Sequence, residues 1–145
     1  MAKQRLPLRW TPHRDPYERA LEPFRVSYMS NAKWRKVLVA IATTGLDIRR
    51  SVWKYIDGKD PTVDDRRMPP LHHVLRTGLG DLAPVGPVEY KWIEWIHFPR
   101  TWHPVPSVGH TEAQDLEPLK RLLAETVQLH VEENEEGITL FGYGR

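Results

Sequence analysis

The sequence predicts an α+β fold: an antiparallel sheet of about five strands, two main helices on one face of it, and an extended N-terminal arm. Three observations carry that expectation. Apolar residues recur at helical spacing at Trp34, Val37, Leu38 and Ile41. They alternate with a period of two through VEYKWIEWIHF at 88–98. Pro7, Pro12, Pro16 and Pro23 punctuate a first stretch in which no long helix fits. A chain of 145 residues, 40% apolar and 28% charged, has the size and composition of one globular domain. The expected division is an arm over 1–27, packed on a single α+β domain over 28–145.

In the arm, Leu8, Trp10, Tyr17, Leu21 and Phe24 are the apolar anchors, and Pro16 suits the first turn of a short helix at 17–21. The first long helix spans 30–44, with Ser30 or Asn31 as its cap, Lys33 and Lys36 facing out, and Gly45 as its stop. Residues 48–56 are β-branched and aromatic and close on Asp57-Gly58, so they read as a strand entering a turn. Ile48, Val52 and Ile56 share one face of it, Trp53 and Tyr55 the other.

The polar run 57–67 reads as a long exposed loop, 71–76 as a weaker strand, and the glycines and prolines of 78–87 as a further loop. Residues 88–98 form the expected central strand. Its alternation places Val88, Tyr90, Trp92, Glu94, Ile96 and Phe98 on one face and Glu89, Lys91, Ile93, Trp95 and His97 on the other. After a proline-rich stretch at 99–106, Asp115 caps a second helix, Pro118 falls in its first turn, and Leu116, Leu119, Leu122 and Leu123 make its apolar stripe. A hairpin ends the chain: 127–132 alternates, the acidic stretch 133–137 turns, and 138–143 returns.

The net charge of +2 hides a gradient, with balances of +6 over 1–36, +1 over 37–110 and −5 over 111–145. Such a gradient suits a basic arm with an acidic partner or nucleic acid, or two ends packed together. No window approaches eighteen apolar residues, and no apolar stretch follows the basic start, so no membrane partner is expected and the cytoplasm is the expected location. With no cysteine, disulfides, thiol catalysis and cysteine-ligated metals are excluded. No G-x-S-x-G, GxxxxGK[ST], H-E-x-x-H or dinucleotide fingerprint occurs, which weighs against an enzyme, and no cofactor is expected.

Asn31-Ala32-Lys33-Trp34 at the first helix, Trp92-Ile93-Glu94-Trp95-Ile96 in the central strand and Phe141-Gly142-Tyr143 at the end resemble a family of small bacterial α+β proteins of unknown function, over residues 28–143. That resemblance implies no activity. The size and layout are also similar to those of bacterial immunity proteins, and that likeness implies a chain that neutralises a cognate toxin by binding it.

The residues support the same class of role. Six tryptophans exceed what one small core needs, and Trp, Tyr and Arg dominate protein interfaces. Trp53, Tyr55, Trp95, Arg100 and Trp102 therefore form an expected recognition patch. Glu132, Glu133, Glu135 and Glu136 form a second expected contact, suited to a basic toxin. The expected function is a non-enzymatic protein-binding module of the immunity type. One alternative is a small metal-dependent hydrolase built on Glu94 with His97, His103 and His110 as ligands. Its bland counterpart is Glu94 in an ion pair and ordinary hydrogen-bonding histidines. The other alternative is nucleic-acid binding through the basic arm, with Trp10 and Tyr17 stacking on bases.

Overall fold

Two helices lie across one face of a five-stranded antiparallel sheet, and the other face carries half-buried side chains. The computed structural model describes residues 15–65, 67–81, 87–104, 109–126 and 128–145. The expectations on Leu8, Trp10 and the rest of 1–14 lie outside the described residues.

In chain order the elements are α1 (Pro16–Leu21), β1 (Val26–Ser27), α2 (Asn31–Thr44), β2 (Ser51–Tyr55) and β3 (Thr62–Asp64). Then come β4 (Gly78–Leu79), β5 (Val88–Glu89), β6 (Ile93–Pro99), β7 (Thr101–Trp102) and β8 (Glu112–Ala113). The chain closes with α3 (Glu117–Glu125), β9 (His130–Glu133), β10 (Gly137–Phe141) and β11 (Tyr143–Gly144). The main sheet runs β9-β10-β6-β2-β3, so the second half of the strongest alternation in the sequence occupies its centre.

α2 forms as its sequence dictates. The Ser30 hydroxyl accepts the Lys33 N–H at 3.1 Å, and Gly45 ends the helix at φ +69°, a conformation that costs little without a Cβ. Its stripe of Trp34, Val37, Leu38 and Ile41 packs with Leu119 and Leu123 of α3 on Trp53, Ile96, Phe98, Ile138 and Leu140 of the sheet, all in one core. Each fully buried aliphatic or phenyl side chain there contributes roughly 1.5–3 kcal/mol.

Four expectations need correction. Residues 88–98 are not one strand: β5 ends at Glu89, a 3₁₀ turn (Tyr90–Trp92) intervenes, and β6 starts at Ile93. Tertiary bonds impose that turn, the Tyr90 hydroxyl donating to the Leu75 carbonyl and the Ile56 N–H to the Trp92 carbonyl. Second, β6 carries a bulge. Tyr55 pairs with Ile93 and Lys54 with Trp95, so Glu94 is the extra residue, and Ile93 enters the core at 0% exposure instead of sharing the outer face with Trp95. Third, the run 57–67 contains edge strand β3, paired with β2. Fourth, 71–76 holds a 3₁₀ turn (Leu71–His73) and a single bridge from Val74 to Leu79.

The described part of the arm is folded against the body. β1 pairs antiparallel with β11, and the Tyr17 ring meets Trp92 edge-on at 5.4 Å.

Candidate partner-binding site

The C-terminal hairpin brings the acidic stretch to one edge of the sheet. Asn134 and Gly137 exchange both backbone hydrogen bonds, at 2.9 and 3.2 Å, which leaves Glu135 and Glu136 as a two-residue loop. The Asn134 side chain accepts the N–H groups of Glu136 and Gly137, at 2.9 and 3.2 Å. Such an asparagine turn adds local side-chain bonds to the backbone pair that closes the loop.

Arg100 fastens this hairpin to the end of β6. Its N–H donates to the Glu136 carbonyl at 2.9 Å, and its guanidinium meets Glu133 at 2.5 Å. Lys120 on α3 meets the other Glu133 oxygen at 3.0 Å. Hydrogen bonds from Lys120 and Arg100 hold the Glu133 carboxyl below the usual carboxylate range, and the same contact raises Lys120. Arg100 and Glu133 therefore brace the hairpin. Glu132, Glu135 and Glu136 stay exposed, with His130 3.3 Å from Glu132.

Register assigns the faces of β9. Residues 130, 132 and 134 exchange hydrogen bonds with 141, 139 and 137, so the N–H and C=O of Val131 and Glu133 point away from β10. β9 is the edge of the sheet, and among the described residues none of those four groups has a hydrogen-bond partner in it. Beside it, between β9 and α3, lies a groove of about 470 Å³ lined by Leu123, Ala124, Leu129, Val131 and Ile138, with Lys120, Thr126, Gln128 and Glu133 also on its wall.

The expected aromatic patch does not assemble. Trp53 is 0% exposed and donates from Nε1 to the Ser51 hydroxyl at 2.8 Å, and Tyr55 is only 6% exposed. Both point to the helix-covered face, so neither is a surface contact; burial pushes the Tyr55 hydroxyl pKa up. Trp95 pairs with Lys54 and Phe141 and lies half-buried on the opposite face. Trp102 belongs to the β7–β8 hairpin, where Arg50 and Arg49 stand 5.1 and 5.8 Å from its ring centre.

That hairpin holds a second charged cluster. Glu112 takes bonds from Arg49 and from His110, the latter at 2.5 Å, and these depress its pKa, His110 more than Arg49. Gln114 clamps the cluster to the segment before β2. It accepts the Arg49 N–H at 2.8 Å and donates to the Arg50 and Pro99 carbonyls at 3.0 and 2.7 Å. Sequence reading gave Gln114, Lys120 and Asn134 no part in a site. Only Asn134, three residues before a glycine in a polar turn, carried a local signal.

The hydrolase constellation is not brought together either. Glu94 is 9% exposed, with Lys54 Nζ 3.6 Å from its Oε1, which has no hydrogen-bond partner in the described structure. His97 Nδ1 lies 2.8 Å from the Thr139 hydroxyl, while His103 Nδ1 meets the His110 carbonyl at 2.9 Å. Among the described residues no group of three His, Asp or Glu side chains is placed to hold a metal ion. Nor, among them, is any helix long and apolar enough to cross a membrane.

No family model, curated protein or solved structure matches the chain.

Proposed function

We propose that this chain is a non-enzymatic protein-binding module that neutralises a basic partner in the manner of an immunity protein, with the β9–β10 hairpin as its contact surface. One observation carries the reading: three exposed carboxylates, Glu132, Glu135 and Glu136, project from a hairpin that Asn134, Arg100 and Lys120 brace. A charged surface already fixed before binding loses little side-chain and loop entropy on contact. Its field also steers an oppositely charged partner. A basic toxin that attacks nucleic acid fits that description, and the −5 balance of 111–145 supports it.

The test is capture of partners from source cells on the intact chain, then titration of the captured protein at low and high salt. Neutralising Glu132, Glu135 and Glu136 to glutamine should weaken binding by about tenfold or more at low salt and flatten its salt dependence. Capture of nucleic acid alone, or a partner indifferent to the three substitutions, overturns the proposal.

A further inference from the structure

The edge of β9, unpaired among the described residues, adds a mode of binding to that role. We infer that β9 is a strand-addition site, at which an extended segment of a basic partner protein becomes a sixth strand of the sheet. The inference rests on the binding role proposed above and extends it to the chemistry of the segment recognised.

Three features converge there. The N–H and C=O groups of Val131 and Glu133 face outward from the edge strand, and an added strand gains its backbone hydrogen bonds from such groups. The groove between β9 and α3 lies on the side to which Val131 points, since Val131 lines it together with Leu123, Ala124 and Ile138. Every second side chain of the added strand would enter that groove, where the apolar part of its lining, Leu123, Ala124, Leu129, Val131 and Ile138, favours apolar ones. The intervening side chains would lie beside Glu132, whose partner Thr139 is itself paired with His97 on the face away from the helices. Glu132 is exposed, and Glu135 and Glu136 follow at the turn, so those positions call for lysine or arginine. The segment recognised thus alternates apolar and basic residues.

Charge also selects against a second copy of this chain as the occupant. Two β9 strands paired side by side would bring Glu132 and Glu133 of one within a strand spacing, about 4.8 Å, of the same acidic strand in the other. Natural sheets use charge in this way to stop edge-to-edge self-association.

The experiment uses the intact chain and three synthetic heptapeptides: alternating lysine and valine, the same peptide N-methylated at alternate residues, and alternating glutamate and valine. Amide hydrogen exchange is followed residue by residue by NMR. The lysine–valine peptide should slow exchange at Val131 and Glu133 by about tenfold or more while leaving His130 and Glu132, already bonded to β10, little changed. The N-methylated and glutamate peptides should bind at least about tenfold more weakly. Ala124→Phe, which fills the groove without touching the edge, should weaken the lysine–valine peptide and leave the fold intact by circular dichroism.

Absence of binding by the lysine–valine peptide, binding without protection of Val131 and Glu133, or equal binding of the N-methylated peptide overturns strand addition. So does a concentration-dependent dimer that protects those amides in the free chain. If strand addition fails while the captured partner still depends on Glu132, Glu135 and Glu136, the acidic contact stands without it; if that dependence is absent too, both readings fall.

Discussion

The Tyr17 hydroxyl lies 2.8 Å from the Tyr143 hydroxyl, joining α1 to β11 across 126 positions of sequence. Tyr143 in turn donates to the Lys91 carbonyl at 2.7 Å, so its oxygen accepts from Tyr17 and a relay of two bonds crosses from arm to sheet. Phe24 packs on the Tyr143 ring at 5.6 Å and Lys91 stands 4.4 Å from the Tyr17 ring centre. Burial first, and the Tyr17 bond second, raise the Tyr143 pKa, which keeps the hydroxyl protonated.

Removing the middle of that relay should cost more than removing its end. Tyr143→Phe leaves both the Tyr17 hydroxyl and the Lys91 carbonyl without a partner, for an expected loss of about 1–3 kcal/mol; Tyr17→Phe removes one donor, for about 0.5–1.5 kcal/mol. Urea denaturation of the two variants and the double variant measures both. A double variant no worse than Tyr143→Phe is expected, because the two residues share one bond. Equal single losses that sum in the double variant would separate the arm from the sheet energetically.

Glycine is required where the returning strand crosses close to its neighbour. A Cβ on Gly137 would stand within 2.0 Å of the Phe98 carbonyl oxygen, at a φ of +154°, and one on Gly142 would meet the Ile93 carbonyl at 2.4 Å and Trp34 at 3.0 Å. The obstructing atoms are mostly backbone, so neither site relaxes by rotating a side chain. Gly137→Ala and Gly142→Ala should each destabilise by about 1–3 kcal/mol or more. Gly58→Ala, at φ +84° with open space around it, should cost only the backbone strain of that turn, about 1 kcal/mol. Thermal melts of the three rank them, and a Gly137→Ala loss no larger than that of Gly58→Ala would contradict the close crossing.

The helix at Asn31–Thr44 and the centre of the sheet were legible because their signals are local: a cap, a stop and an apolar period. The bulge at Glu94 was not, because alternation reads straight through an inserted residue and places Ile93 on the wrong face. Trp53 and Tyr55 were misplaced for a related reason. A strand with large residues on both faces does not say which face the helices cover; that depends on where α2 and α3 pack, a tertiary matter. The acidic hairpin was legible as a turn, but its bracing by Arg100 and Lys120 was not, since those cations lie 33 residues and 13 residues upstream of Glu133.

His97 supplies a dependence on pH whose sign follows from its burial. Desolvation lowers its pKa below the ordinary 6.5, and the charge of Glu136 partly opposes that shift. Below 6.5 the unfolded chain takes up the proton before the folded one does, so stability falls as pH drops from 6.5 through the folded value and is unaffected above it. Glu136→Gln removes the opposing charge and should move the His97 midpoint further down. NMR titration of the imidazole reads both, and a wild-type midpoint at or above 6.5 would refute the assignment. His97→Gln should flatten this part of the stability profile.

The two tryptophans that face opposite sides of the sheet make the sharpest contrast. Trp53 pairs with Ile96, is fully enclosed between the sheet and the helices, and gives its indole N–H to the Ser51 hydroxyl. Trp95, one position before Ile96, rests half-buried against Phe141 and Lys54 on the side away from the helices. Truncating a large enclosed aromatic removes its transfer energy and leaves a cavity, so Trp53→Ala should cost about 3–5 kcal/mol, enough to unfold a marginal domain. Trp53→Phe tests the cavity more gently and also leaves the Ser51 hydroxyl without its donor. Trp95→Ala, with solvent free to fill the space, should cost no more than about 1–2 kcal/mol. Chemical denaturation ranks the three. If Trp95→Ala proved as costly as Trp53→Ala, the half-buried setting of Trp95 on the face away from the helices would be contradicted.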